Sequence, residues 1–216
     1  MIKLYGIPLS NNVNKVRYIL NYLGLEYENI PTNPIEGENQ TEEYKALCPS
    51  GKIPAIDIDG FKLFESNAIN KYLVKTHNAD LYPTDPKEQA VVDAWMDFTS
   101  IHIMQAMGRV VFNRAFAPMM GKEKDENSLQ AGLEFLGRFL PAVDKQLGSN
   151  EYLAGSKLTL ADINLLAALD MAEMAEVSLE PYANITKWRQ GMQAQDFYQK
   201  CYKNYTEFVQ QALANA

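Results

Sequence analysis

Two cysteines and two histidines are all that the 216 residues contain of either type. Cys48 and Cys201 stand far apart in unlike contexts, with only His77 and His102 beside them, so neither a disulfide framework nor a zinc-ligand spacing is present. No resident metal is expected. No apolar run reaches the roughly eighteen residues that a membrane span needs. Met1 to Ser10 lacks the basic, then apolar, then small-residue pattern of a secretory leader, which points to the cytoplasm. The glycosylation-like triplets starting at Asn39, Asn184 and Asn204 are then chance matches. Positive charge is scarce as well: 20 Lys and Arg face 27 Asp and Glu, for a net charge of -7 and a pI near 4.9. With no basic cluster in the chain, phosphate backbones and anionic bilayers are repelled, so neither nucleic acid nor membrane is expected as a partner.

There is no internal repeat and no low-complexity tract. What remains is 47% hydrophobic and 22% charged, the composition of an ordinary globular protein long enough for one large domain or two small ones. Texture favours two. Up to about Val74 the apolar segments are short and of mixed period. Ile2 to Tyr5 reads as a strand stopped by Gly6 and Pro8, and Val13, Val16, Leu20 and Leu23 then recur at helical spacing before Gly24. Tyr27 to Ile30 reads as a strand, Ile53 to Ile58 and Phe61 to Phe64 as a hairpin around Asp59-Gly60, and Glu65 to Val74 as a helix. Residues 77–86, rich in Asn, Asp and Pro, read as a linker.

Beyond the linker the period is helical. Val92, Trp95, Met96, Thr99, Ile103, Met107 and Val110 trace one face, and Leu129, Leu133, Leu136, Leu140, Val143 and Leu147 trace another. Pro141 is expected to kink that second helix. From Leu160 to Met174 nearly every position is apolar or small, the pattern of a helix buried on most sides.

Dinucleotide, P-loop, zincin and nucleophile-elbow motifs are all missing. The informative stretch is Leu4 to Val16, where a strand ends in a Gly and Pro turn and a helix begins with Ser10, Asn11 and Asn12 at its mouth. A helix N-terminus presents free N–H groups and a positive dipole end, which suits an anion. Ser10 or Asn11 caps the helix on the simplest reading. The same hydroxyl is also placed to donate to a bound thiolate. A second segment, Cys48 to Ile56, opens a strand with Ile53-Pro54, a position where cis peptides occur. Glu65 and Ser66 then start a helix, either as a plain cap with a favourable charge or as holders of a zwitterion, Ser66 and N–H groups for the carboxylate and Glu65 for the ammonium.

Taken together, Gly6, Pro8 and Ser10, the Lys52-Ile53-Pro54 step and the Glu65-Ser66 pair resemble the glutathione-binding motifs of the glutathione transferase family in order and spacing. The stretch Tyr152 to Asp162 is similar to that family's signature in its helical domain, with Thr159 and Asp162 as a capping box. Within the family the chain looks most like bacterial members akin to the theta and phi classes. The resemblance implies an α/β thioredoxin-like N-terminal domain over residues 1–76, a linker over 77–86 and an all-α domain over 87–216. It implies a glutathione site in which Ser10 bonds the sulfur, with Asn12 as the rival contact. Asn11, Gln40, Lys52, Ile53, Pro54, Glu65 and Ser66 complete the site, Ile53 pairing its backbone with the tripeptide before a cis Pro54. Asn39 and Gln40 stand where plant phi-class relatives carry basic residues for the glycyl carboxylate.

Also implied are a small apolar electrophile between the domains against Met104, Met107, Val111 and Phe112, no cofactor beyond glutathione as co-substrate, and a homodimer. The activity so implied is a glutathione transferase that presents the thiolate to apolar electrophiles, with peroxidase side activity. The alternatives are a non-catalytic binding or interaction protein of the same fold, and a reductase or dehalogenase using the same thiolate. With serine at position 10 in place of cysteine, disulfide exchange is not expected. Both cysteines read as small buried residues.

Overall fold

The structure, a computed structural model, describes residues 1–77 and 79–201. It divides into two compact units. The first is Met1–Tyr82 together with Asp196–Cys201, and the second, within the described residues, is Pro83–Gln195.

The first unit opens with β1 (Ile2–Tyr5), α1 (Asn11–Tyr22) and β2 (Tyr27–Ile30). A 3-10 turn (Glu38–Gln40) and the short α2 (Glu42–Lys45) follow, and β3 (Ala55–Ile58), β4 (Phe61–Phe64) and α3 (Ser66–Thr76) complete the unit's N-terminal part. The sheet order is β2-β1-β3-β4, with β1 parallel to β2 and antiparallel to β3, and β3 antiparallel to β4. The strand, helix and hairpin expectations therefore hold, and the sheet order is what composition and period alone do not specify. Leu4, Val13, Val16, Ile19, Leu20, Ile56, Ile69 and Leu73 are sealed in the core.

Two boundaries differ from the expected ones. Leu81 and Tyr82, inside the expected linker, are buried in the first unit, where Lys71 and Lys75 place their ammonium groups 5.5 and 4.9 Å from the Tyr82 ring centre. A short C-terminal helix, Asp196–Gln199, also belongs to this unit and not to the helical one. Its aromatics explain why: Tyr198 and Phe197 lie 5.4 and 6.0 Å from Tyr18 of α1, and Asn21 donates to the Cys201 sulfur at 2.6 Å.

In the second unit α4 (Pro86–Phe98), α5 (Met104–Val111) and α6 (Ala117–Met119) form one long helical run through two π-helical turns, Thr99–Ile103 and Phe112–Phe116. Gly132 of α7 (Glu126–Ser149) lets that helix approach α5 closely, since a Cβ there would stand 2.9 Å from Ala106 O. Pro141, where a kink is expected, lies inside α7, which continues as one helix to Ser149. Gly137, whose carbonyl loses its ordinary donor to the proline, is exposed and so open to water. All ten residues of α8 (Leu160–Leu169) are buried, as the nearly all-apolar pattern predicts, although the helix ends at Leu169 and not at Met174. Its Asn164 donates to Met96 O at 2.8 Å and Ser100 Oγ at 3.0 Å beside the first π turn.

The expected capping box opens α8. Asp162 accepts from Leu153 N at 2.8 Å, Thr159 N at 3.0 Å, Thr159 Oγ1 at 3.1 Å and Trp188 Nε1 of α9 (Ala183–Gln193) at 3.1 Å. Burial pushes the Asp162 carboxyl up to about 6 while these four hydrogen bonds pull it down.

Candidate active site

Register brings three distant segments to one end of the sheet. Tyr5 pairs with Ala55 and Ala55 with Phe64, so Gly6, Pro54 and Glu65 each sit one residue beyond the same row. From there the chain enters α1 through Gly6 to Ser10, arrives at β3 through Ile53-Pro54, and enters α3 at Glu65-Ser66. The Ile53-Pro54 bond is cis.

Gly6 is required at its position, because its φ is +151° and an added Cβ would overlap Val13 Cγ2. That contact sets α1 close under the turn. Ser10 is the N-cap residue of α1: its Oγ accepts from Val13 N at 3.4 Å and its carbonyl from Asn14 N at 3.0 Å. A hydroxyl has one proton and two lone pairs, so accepting from Val13 leaves the Ser10 proton available to an anion at the mouth of the helix. Asn14 ties the turn down by donating to Pro8 O at 2.9 Å. Asn11 and Asn12 are half-buried in the first turn.

The loop before β3 is held by amides. Asn39, buried, donates from Nδ2 to Gly51 O at 2.6 Å, and Gln40 donates from Nε2 to the same carbonyl at 3.3 Å. Gly51 has φ +60°, and a Cβ there would meet Gln40 Nε2 at 2.8 Å. Tyr44 Oη donates to Lys52 O at 2.8 Å, and burial pushes that phenol above its ordinary value, keeping the donor proton in place. The polar groups of Asn39, Gln40 and Tyr44 therefore shape the approach to Ile53. In the sequence Asn39 stands out as a chance glycosylation-like match and as a missing cation, and Tyr44 is not singled out. The Thr41 cap of α2, whose Oγ1 accepts from Tyr44 N at 3.2 Å, is the local signal that fixes Tyr44. Lys52 is exposed.

At the start of α3, Glu65 takes φ 67° and ψ 110°, an unusual backbone for a residue with a Cβ, and its side chain makes no capping bond. Its exposed side chain can meet a cation from solvent. Ser66 is buried and donates from Oγ to Asn12 Oδ1 at 3.3 Å. The N-termini of α1 and α3 are thereby brought together, and their first-turn N–H groups supply anion-binding donors.

Family models match both units: the N-terminal domain of glutathione S-transferase over residues 1–75 and its C-terminal domain over residues 102–196. The chain belongs to the glutathione S-transferase family. It is 34% identical over 208 residues to glutathione S-transferase 3 of Zea mays, covering 92% of each chain. A probable glutathione S-transferase of Oryza sativa subsp. japonica, GSTF2, is 32% identical over 92% of this chain and 94% of its own. Among solved structures, glutathione S-transferase-I bound with lactoylglutathione superposes with a TM-score of 0.85 at 28% identity, covering 93% of this chain and 97% of that one. A theta-class enzyme of the citrus canker pathogen Xanthomonas axonopodis pv. citri, with glutathione bound, matches with the same TM-score and identity, over 92% of this chain and 95% of that one. The sequence relatives named here are plant phi-class proteins, so the bacterial, theta-like part of the expected placement is corrected, while the likeness to the phi class remains.

In this transferase fold the residues expected to face the electrophile are not equally available. Met107 and Val111 are each 1% exposed and offer no surface, being packed where α5 meets its neighbours. Met104, half-buried, and Phe112, 42% exposed at the second π turn, do offer surface.

Proposed function

We propose that this protein is a glutathione transferase that binds glutathione across the paired N-termini of α1 and α3 and presents its sulfur as thiolate to small apolar electrophiles. The observation that carries this reading is the convergence of Ser10, the cis Ile53-Pro54 step and Glu65-Ser66 at one end of the sheet. In this reading the Ser10 hydroxyl donates to the sulfur and the Ile53 backbone pairs with the cysteinyl residue. Glu65 takes the γ-glutamyl ammonium, and the adjacent carboxylate is taken by the α3 N–H groups and by the Ser66 hydroxyl, whose single proton turns from Asn12 Oδ1 to the ligand on binding. Asn11, Asn12, Gln40, Lys52 and Pro54 complete the site, Lys52 offering its charge to the glycyl carboxylate.

The magnitudes suffice. A free thiol titrates near 8.5, and a tenfold change in its ionisation constant corresponds to about 1.36 kcal/mol. A charge-assisted hydrogen bond contributes about 1.5 to 3 kcal/mol and a helix N-terminus about 0.3 to 1 kcal/mol. Together they strengthen the ionisation of the thiol by roughly ten- to a thousandfold, which makes thiolate a major form at neutral pH. The thiolate then attacks the electrophile, forming a C–S bond as the leaving group departs with its electron pair. Chemistry on the sulfur of glutathione needs no metal or further cofactor.

The electrophile lies against Met104 and Phe112, polarisable and aromatic surfaces that tolerate varied shapes. The same thiolate supports hydroperoxide reduction as a side activity. The active form is a cytoplasmic homodimer, with a light-scattering mass about twice the 24.4 kDa of the chain. Turnover of glutathione with an activated aryl halide tests the reading. Product formation that requires Ser10 is the expected result, and glutathione binding without any turnover would favour a non-catalytic binding role.

A further inference from the structure

Lys15 is 2% exposed. An ammonium so placed is unfavourable unless a nearby group uses its charge. It lies on α1 one turn after Asn12, on the face packed against α3. Asn70 of α3 donates to Lys15 O at 3.2 Å, and one turn earlier Ser66 Oγ meets Asn12 Oδ1 at 3.3 Å. A helical side chain leans back toward the N-terminus of its own helix. The Lys15 stem therefore runs from the level of Asn70 toward that of Ser66, where Glu65 opens α3.

The Glu65 carboxylate is the charge that acts on it: burial pulls the Lys15 ammonium down to about 7, and Glu65 pulls it back up. Other charged groups on the packed elements face elsewhere. Arg17 bonds Asn14 Oδ1 at 2.9 Å and lies with Cys201, Tyr27 and Tyr18. Lys71 and Lys75 of α3 lean over the Tyr82 ring, and Asp196 and Lys200 at the C-terminal helix are exposed.

We propose that Lys15 is a positioning residue of the glutathione site, its buried ammonium holding the Glu65 carboxylate from behind so that it stands at the entrance of α3 to receive the γ-glutamyl ammonium. The inference rests on the reading of Glu65 given above. Charged Lys15 gives the carboxylate a reason to stay against the protein; neutral Lys15 releases it to water. Glutathione affinity then falls as pH climbs through about 7, the protonated form being the one that binds.

The test is the dissociation constant of S-methylglutathione, whose blocked thiol removes thiolate titration from the readout. It is measured by calorimetry between about pH 6 and 8 for the wild type, Lys15→Met, Lys15→Arg, Glu65→Gln and the Lys15→Met/Glu65→Gln pair. Wild-type affinity should fall across this range. Lys15→Met should bind about tenfold more weakly than wild type at pH 6 with no pH dependence, whereas Lys15→Arg should keep the low-pH affinity throughout. In the Glu65→Gln background the Lys15→Met substitution should change little, because its route of action is gone. Equal binding by wild type and Lys15→Met, or an undiminished effect without Glu65, overturns the proposal while leaving the glutathione site standing. A drop in thermal midpoint that alone accounts for the weakening, with Lys15→Arg no better than Lys15→Met, also overturns it. Failure of the wild type itself to bind S-methylglutathione removes the site and the proposal with it.

Discussion

Ser66 Oγ donates to Asn12 Oδ1 at 3.3 Å across 54 positions of sequence. That bond fastens the first turn of α3 to the first turn of α1 and gives the site two converging sets of N–H donors. It also engages the Asn12 oxygen, so that in the proposed site the Asn12 amide nitrogen is the atom that would serve as a second donor toward sulfur.

Asn12→Ala should therefore raise the glutathione KM several-fold, through a loosened Ser66, with a smaller loss of kcat than Ser10→Ala. Steady-state kinetics with a saturating electrophile separates the two. Equal loss of kcat in both variants would move the sulfur contact to Asn12.

Glu65→Ala and Ser66→Ala should act on affinity. Removing one partner of a charge-assisted contact costs about 1.5 to 3 kcal/mol, or roughly ten- to a hundredfold in Kd for glutathione. Calorimetry reads this directly, and unaltered affinity would take both residues out of the site.

The strands, the two helical faces and the all-buried α8 were legible because each depends on local period, and the Thr159 to Asp162 box because it is a three-residue signal. Ser10, Ile53-Pro54 and Glu65-Ser66 were legible as motifs. Their meeting depends on β1 lying between β2 and β3, a pairing between segments some fifty residues apart that no local pattern encodes. Lys15 was invisible as a buried residue because a lysine in a polar helix start reads as solvent-facing; only the packing of α1 on α3 seals it. The grouping of Asp196–Cys201 with the first unit likewise needs Tyr18 and Tyr198 to find one another. The last glycosylation-like triplet, at Asn204, lies outside the described residues.

The lowered Lys15 value has a stability consequence whose sign is fixed. The ordinary lysine value is 10.5 and the folded value about 7, so the unfolded chain binds the extra proton between them. The stabilising contribution is complete above the ordinary value and is lost as pH falls through the folded one. Lys15→Met should accordingly be more stable than wild type near pH 6, and the gap should shrink as pH rises toward 10. Urea unfolding at several pH values checks this, and a pH-independent gap would contradict it.

Asp162→Ala removes four hydrogen-bond acceptances at once, leaving Leu153 N, Thr159 N and Trp188 Nε1 buried without partners. The expected loss is about 3 kcal/mol or more of unfolding free energy. Glutathione affinity of the folded fraction should be unchanged, because Asp162 lies in the second unit, outside the segments proposed to hold glutathione. Chemical denaturation and calorimetry on the same preparation read the two quantities separately.

Ser10 is the residue held to make glutathione a thiolate. The most direct measurement is the ultraviolet absorbance of enzyme-bound thiolate across pH in wild type and Ser10→Ala, each saturated with glutathione. In wild type the bound thiol should titrate well below the free value of about 8.5, its ionisation strengthened roughly ten- to a thousandfold, with most of that effect missing in Ser10→Ala. An equally low thiol in the two proteins would contradict the account.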